Sequence, residues 1–268
     1  MDFAPLGRQS RGIRLLRASI AQPCRRDFKK NEVKPHLKRT WCIGEMNAAF
    51  IAKMEKLLWL YSLPYDEQHP VVCFDERPCF LIGEVVDAIS MQTGKVRKEH
   101  YCYEKNGSCA LLAAIEPLTG KRLAAVYQQR TKKEYALFMK ELAAAYPKAR
   151  KIRVVQDNLN THNTSSFYEQ FSAEEAFALS QRFEFYYTPK ATSWLNMIEI
   201  EFSALVKQCL DRRIPTEEQL RREVMAIVKE RNDKKIKINW QFSIEKARTK
   251  LNTAYTKVNE ANEKYKKT

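Results

Sequence analysis

Two short apolar runs, VVCFDE at 71–76 and KIRVVQDN at 151–158, each close on an aspartate. Runs of this length and character read as buried central strands. Such strands avoid Asp, because burying an unpaired carboxylate costs several kcal/mol. For Asp75 or Asp157 alone, a strand-end acid facing solvent or capping a turn is the plainer reading. Two together, at the ends of two such strands, need a shared reason. One reason is a divalent cation, since magnesium takes hard oxygen ligands from few carboxylates plus water and phosphate oxygens.

The segments around them fix the order of elements. Residues 46–61 carry Phe50, Met54, Leu57, Leu58 and Tyr61 on one helical stripe, ended by Pro64. Residues 84–107 are polar and irregular, and Asn106-Gly107 is a turn signal. The runs SCALLAAIEP and KRLAAVYQQ, joined by Leu118-Thr119-Gly120, predict a hairpin. Residues 131–147 predict an amphipathic helix with Thr131 and Glu134 as a capping box and Pro147 as its stop. A helical stretch at 164–182, a strand FEFYYTP, a helix from Ser193 to about Arg213 and a charged helix from Pro215 to about Arg231 follow. The last 35 residues read as helix fragments with basic faces. A hairpin-built antiparallel half followed by βα units gives an α/β fold, a mixed sheet with helices on both faces. That order is the one found in ribonuclease-H-like folds.

Charge placement points to a polyanion. The formal net charge is +15, with 11 Lys/Arg against 3 Asp/Glu in residues 1–40 and 12 against 5 in residues 229–268. Residues 41–228 are balanced at 24 of each. Basic ends on a neutral body suit nucleic acid, or else are solvated tails. The 7 cysteines form no CxxC pair and none sits with histidine at zinc-ligand spacing, which reads as a reducing, cytoplasmic compartment. No run of about 18 apolar residues is present, so no membrane span is expected.

A third acid follows the last strand. With Ile198, Phe202, Leu205 and Cys209 as the buried stripe, Glu199 and Glu201 fall on opposite borders of it, and the helical wheel does not choose between them.

The blocks VVCFDE, VVQDNLNTH and YYTPKATSWLNMIEIEFS, with LIGE, EPLTG and QCLDRRIP between and after them, resemble mariner-type DDE transposases. The resemblance is to the bacterial insertion-sequence branch called IS six-thirty, and it runs from about Lys29 to about Leu251. It implies a ribonuclease-H-like fold and three metal ligands, Asp75, Asp157 and Glu199. The last of these matches the glutamate of the family's Asn-x-x-Glu, here Asn196 to Glu199. It implies two Mg²⁺ or Mn²⁺ ions, and cut-and-paste movement of double-stranded DNA between inverted repeats and a TA target, by a homodimer working at the bacterial nucleoid.

Asn158 and His162 have counterparts in the family and either position a carboxylate or touch DNA. For His162 a turn with a helix cap on Asn158 or Thr161 is the plainer reading. Lys190 is a phosphate contact or a solvated loop lysine, and Trp194 a base platform or a core aromatic. Glu76 points to the other sheet face and is left out of the site.

The expected layout is a basic segment at 1–40, a helical linker at 41–70, the catalytic domain at 71–231 and a basic helical tail at 232–268. The family's helix-turn-helix units do not fit before Lys29, and residues 1–28 do not resemble it. They read as an out-of-frame start on a truncated element. The competing function is an inactive remnant that binds DNA non-specifically; a third is a nuclease that only hydrolyses.

Overall fold

The computed structural model describes residues 46–260. The basic segment at 1–40, its out-of-frame reading and the end of the basic tail lie outside the described residues.

Helix α1 (Ala48–Ser62) starts where Asn47 accepts the Phe50 N–H at 2.9 Å, supplying an acceptor to a first-turn amide with no intrahelical partner. Its buried side chains are Met54, Leu57, Leu58 and Leu60. Strand β1 (Val71–Glu84) and strand β2 (Tyr103–Glu116) pair antiparallel along their lengths. Strand β3 (Lys121–Tyr127) returns against β2 through a turn in which Gly120 takes φ +79°, as the hairpin signal predicts. Helix α2 (Lys132–Ala145) carries the expected capping box on Thr131 and Glu134. Strand β4 (Ile152–Gln156) lies parallel to β1, and strand β5 (Phe183–Tyr187) parallel to β4. The sheet order is β3-β2-β1-β4-β5, antiparallel on one side of β1 and parallel on the other.

Alternation along β1 divides the core in two. Val72 and Phe74 face α2, helix α3 (Ser165–Gln170) and helix α4 (Ala173–Ser180), packing on Phe138, Leu142 and Phe167. Cys73, Cys79 and Leu81 face α1, helix α5 (Ile198–Leu205) and helix α6 (Glu217–Asp233), packing with Leu57, Ile198, Phe202 and Val224. Each of these large side chains contributes roughly 1.5–3 kcal/mol by leaving water. Helices α7 (Ile244–Lys250) and α8 (Asn252–Val258) add Ala247 and Tyr255 to the same cluster as α1. The expected mixed sheet covered by helices on both faces is the fold observed.

Four local expectations are corrected. Asp75 is not at a strand end, because β1 runs on to Glu84. It lies two residues past Cys73, the last β1 residue paired with β4, so it stands where β1 loses its parallel neighbour. Asn106-Gly107 is not a turn. It lies inside β2, where the register shifts between Leu81 and Ile82 and Gly107 takes φ +116°, so strand pairing overrides a local signal. The helical stretch at 164–182 is broken at Phe171, after which Ser172 caps α4. The helix expected from Ser193 is a 3₁₀ turn (Ser193–Leu195), then α5, then a π turn (Val206–Leu210), because Asn196 is extended at φ −87°, ψ 117°.

Candidate active site

Asp75, Asp157 and Glu199 come from three separate segments to one end of the sheet. Asp75 is on the α5-facing side of β1, Asp157 directly follows β4, and Glu199 is in the first turn of α5. Asn196 sets the helix in place. It is 1 % exposed, and its Nδ2 donates to the Phe74 carbonyl at 2.8 Å, tying the start of α5 to the residue before Asp75. Tyr61 of α1 donates to the Leu195 carbonyl at 2.8 Å.

A cavity of about 340 Å³ opens here, lined by Asp75, Asp157, Asn158, Lys190 and Asn196 among others. Glu199 is outside its lining, yet its charge reaches Asp75. Burial, more than any neighbour, pushes Asp75 up to about 7, and the charges of Asp157 and Glu199 add to the rise. A larger cavity of about 670 Å³ surrounds the β2–β3 turn near Glu116, Lys121 and Tyr146, away from these acids. Size does not select the site; convergence of titratable groups does.

The choice between the two glutamates of α5 follows from what each touches. Glu201 is 2 % exposed. It pairs with Arg122 Nε at 2.8 Å, and with Arg231 through Nε at 2.8 Å and Nη2 at 3.0 Å. That carboxylate is spent on holding α5 to β3 and α6. Glu199 is half-buried, and among the described residues no hydrogen bond or ion pair engages its carboxylate.

His162 does lie in a turn, its N–H donating to the Leu159 carbonyl at 3.0 Å, but turn chemistry is not its whole role. It is buried, with Nδ1 2.5 Å from Asp157 Oδ1 and Nε2 3.6 Å from Glu76 Oε2. Burial alone would lower its pKa; the hydrogen bond to Asp157 and the carboxylate of Glu76 outweigh that and hold it at about 9. At 3.6 Å the Glu76 contact is charge attraction rather than a hydrogen bond. Neither Asn158 nor Thr161 caps the helix that follows: Asn163 Oδ1 accepts the Ser165 N–H at 2.9 Å instead. Alternation along the strand places Glu76 correctly on the other face but does not reveal its reach to His162; the only local signal is an acid beside Asp75.

Asn158 and Lys190 are exposed at the cavity. Ala191, next to Lys190, takes φ +56°, a conformation disfavoured for a residue with a Cβ, so this loop holds local strain beside the site. Trp194 is 37 % exposed and meets Phe242 edge-on at 5.6 Å, half platform and half core.

Carboxylate oxygens around an open cavity are the donor set that Mg²⁺ and Mn²⁺ take. Among the described residues, no three His, Cys, Asp or Glu side chains stand close enough together to hold an ion as they are turned here. Asp75 Oδ1 accepts the Glu76 N–H at 2.8 Å, and Asp157 Oδ1 is engaged by His162. The residues fit an ion by donor type, and two of them, Asp75 and Asp157, line the same cavity.

A mixed sheet in this order, helix-covered on both faces and carrying acids from β1, β4 and the helix after β5, defines a ribonuclease-H-like protein. A sequence model of the family described as DDE superfamily endonuclease matches residues 70–221, and the chain belongs to that family. In fold it is similar to the crystal structure of the Mos1 mariner paired end complex with Mn, with TM-score 0.53 at 12 % identity, covering 100 % of this chain and 82 % of that one. It is also similar to a pre-cleavage Mos1 transpososome, with TM-score 0.52 at 13 % identity, covering 92 % and 72 %. Comparison with curated proteins returns no significant match. No helix among the described residues is long and apolar enough to cross a membrane.

Proposed function

We propose that this chain is the catalytic domain of a mariner-type DDE transposase of the IS six-thirty branch, cutting and joining DNA strands with two divalent ions held by Asp75, Asp157 and Glu199. The observation that carries this reading is the placement of Asp75 and Asp157 on one cavity of a ribonuclease-H-like sheet, with Glu199 on the adjoining helix close enough for its charge to act on Asp75. The ions, when bound, would activate a water or hydroxyl and stabilise the leaving oxygen in phosphoryl transfer.

The chain's own residues have distinct parts in this. Asp75, with its proton held up to about 7, must release it to ligate. His162 occupies one oxygen of Asp157 and leaves the other for the site. Asn196 fixes the helix that carries Glu199. Lys190 and Asn158, exposed at the cavity, suit phosphate oxygens. Lys53 and Lys56 of α1 line an adjoining groove that Asn158 shares, and they extend the basic surface.

Structures with this fold include a Mos1 transposase paired-end complex with left transposon end, which supports element-end DNA as the partner here; a TA target is what the family resemblance adds. The arm between β1 and β2 exposes Ile89, Met91, Val96 and Tyr101, and β1 exposes Phe80, apolar side chains suited to a second copy of the chain on DNA. A DNA substrate would place the protein at the bacterial nucleoid.

The test is Mg²⁺-dependent strand transfer by purified protein on DNA carrying the matching inverted repeats, beside an Asp157→Asn control. Joined product from wild type alone supports the reading. DNA binding without any cleavage favours the inactive remnant, and cleavage without joining favours a hydrolytic nuclease.

A further inference from the structure

We propose that Glu76 is a positioning residue that, through His162, holds Asp157 in the orientation a metal-binding carboxylate needs; this rests on the assignment of Asp157 as a ligand. The imidazole is the middle of the chain of contacts. The His162 side chain is wholly buried, stacked on Tyr135 at 4.9 Å between ring centroids and met edge-on by Phe74 at 5.3 Å. Its backbone is pinned as well: Gln156 Nε2 donates to the His162 carbonyl at 2.8 Å, and Tyr135 donates to Gln156 Oε1 at 2.9 Å. The ring's plane is therefore held by packing against Tyr135 and Phe74.

What packing leaves open is what each ring nitrogen meets. Nδ1 meets Asp157, and Nε2 has no hydrogen-bond partner among the described residues. A buried polar atom left unanswered costs free energy. The group opposite Nε2 is the Glu76 carboxylate at 3.6 Å, itself 7 % exposed, with its other oxygen accepting from Arg130 at 2.9 Å. The arrangement is a line of four side chains, Arg130, Glu76, His162 and Asp157, leading from the α2 face of the sheet to the site.

Adjacent residues of β1 thus serve opposite faces. Asp75 turns to the cavity and Glu76 turns behind it to hold the second aspartate from the rear. Removing the negative charge at Glu76 takes away the group that answers Nε2. The ring is then free to exchange its hold on Asp157 for another partner, and Asp157 loses its fixed orientation. Outer partners of this kind typically change metal affinity by 10–100-fold, and Glu76 is one residue further out than most.

The simpler role is structural: Glu76 joins Arg130 and steadies the fold. The two roles separate in one experiment. Mn²⁺ binding to the full chain is titrated by the resonance of free Mn²⁺, for wild type, Glu76→Gln and Asp157→Asn, with each protein's apo melting temperature measured alongside. Glu76→Gln is expected to bind Mn²⁺ about tenfold more weakly, with little change in apo melting. A lower melting temperature with unchanged Mn²⁺ affinity overturns the proposal. Wild type that binds no Mn²⁺ overturns the ligand assignment and the proposal with it, whereas wild-type binding that Asp157→Asn abolishes leaves only Glu76 at issue. Should Glu76→Gln fail to fold, Arg130→Met, at a side chain 55 % exposed, is the substitute; a weaker loss in the same direction supports the proposal and unchanged affinity overturns it. Proton NMR gives a metal-free readout. A downfield ring N–H signal removed by His162→Gln should shift in Glu76→Gln, and an unmoved signal counts against any coupling.

Discussion

Replacing each glutamate of α5 in turn by alanine should have opposite consequences. Glu201 is buried between two arginines, so Glu201→Ala leaves Arg122, itself 5 % exposed, and Arg231 as uncompensated positive charges in the core. Breaking one side of a buried ion pair costs about 3–5 kcal/mol. A domain of this size loses roughly 2–4 °C of melting temperature per kcal/mol. Glu201→Ala should therefore melt roughly 6–20 °C below wild type. Glu199 is half-buried without a hydrogen-bond or ion-pair partner among the described residues, and its removal should stay within about 0.5 kcal/mol of wild type. In contrast, Glu199→Ala should lose most of the stabilisation that millimolar Mg²⁺ or Mn²⁺ gives the wild type, since an ion stabilises only through the sites that bind it. The assay is thermal melting of three proteins with and without metal, against sodium chloride of equal ionic strength. Glu201→Ala melting like wild type, or Glu199→Ala keeping the full metal response, would refute the division of roles.

Neutralising all three acids, Asp75→Asn with Asp157→Asn and Glu199→Gln, should raise the metal-free melting temperature, because burial and like charge both oppose ionisation there; the same variant should show no metal response in calorimetry. Lys53→Glu with Lys56→Glu should weaken DNA binding uniformly across sequences and reduce the slope of log affinity against log salt by about 2, checked by fluorescence anisotropy. Glu55 is held below its ordinary value of 4.5 chiefly by its hydrogen bond to Arg248, which outweighs burial. Its folded pKa being the lower one, its contribution is present above about 4.5 and is lost as pH falls through the folded value; Glu55→Gln should flatten acid unfolding in that window, followed by circular dichroism.

The features of this molecule that are written in single segments are legible in the amino-acid sequence alone. Asp75 and Asp157 stand out because each interrupts an apolar run, and Thr131 with Glu134 announces a helix within four residues. Features that depend on distant segments are not legible there. The helical wheel makes Glu199 and Glu201 equivalent, and the distinction comes from Arg122 and Arg231, which reach Glu201 from β3 and α6. Asn106-Gly107 has turn chemistry, but antiparallel pairing with β1 absorbs it as an irregularity. His162 reads as loop because its burial is produced by Phe74 and Tyr135, from β1 and α2. Glu76 falls on the correct face and is set aside for that reason, since nothing local shows that an imidazole lies behind the sheet.

The central claim is that Asp75, Asp157 and Glu199 share divalent metal. Anomalous diffraction from crystals grown with Mn²⁺ tests it most directly. Density is expected between Asp75 and Asp157, or between Asp75 and Glu199, with carboxylate oxygens at about 2.1 Å after side-chain rotation. Density on Glu201, density only near Glu116 and Lys121, or none between these acids at millimolar Mn²⁺ would contradict it.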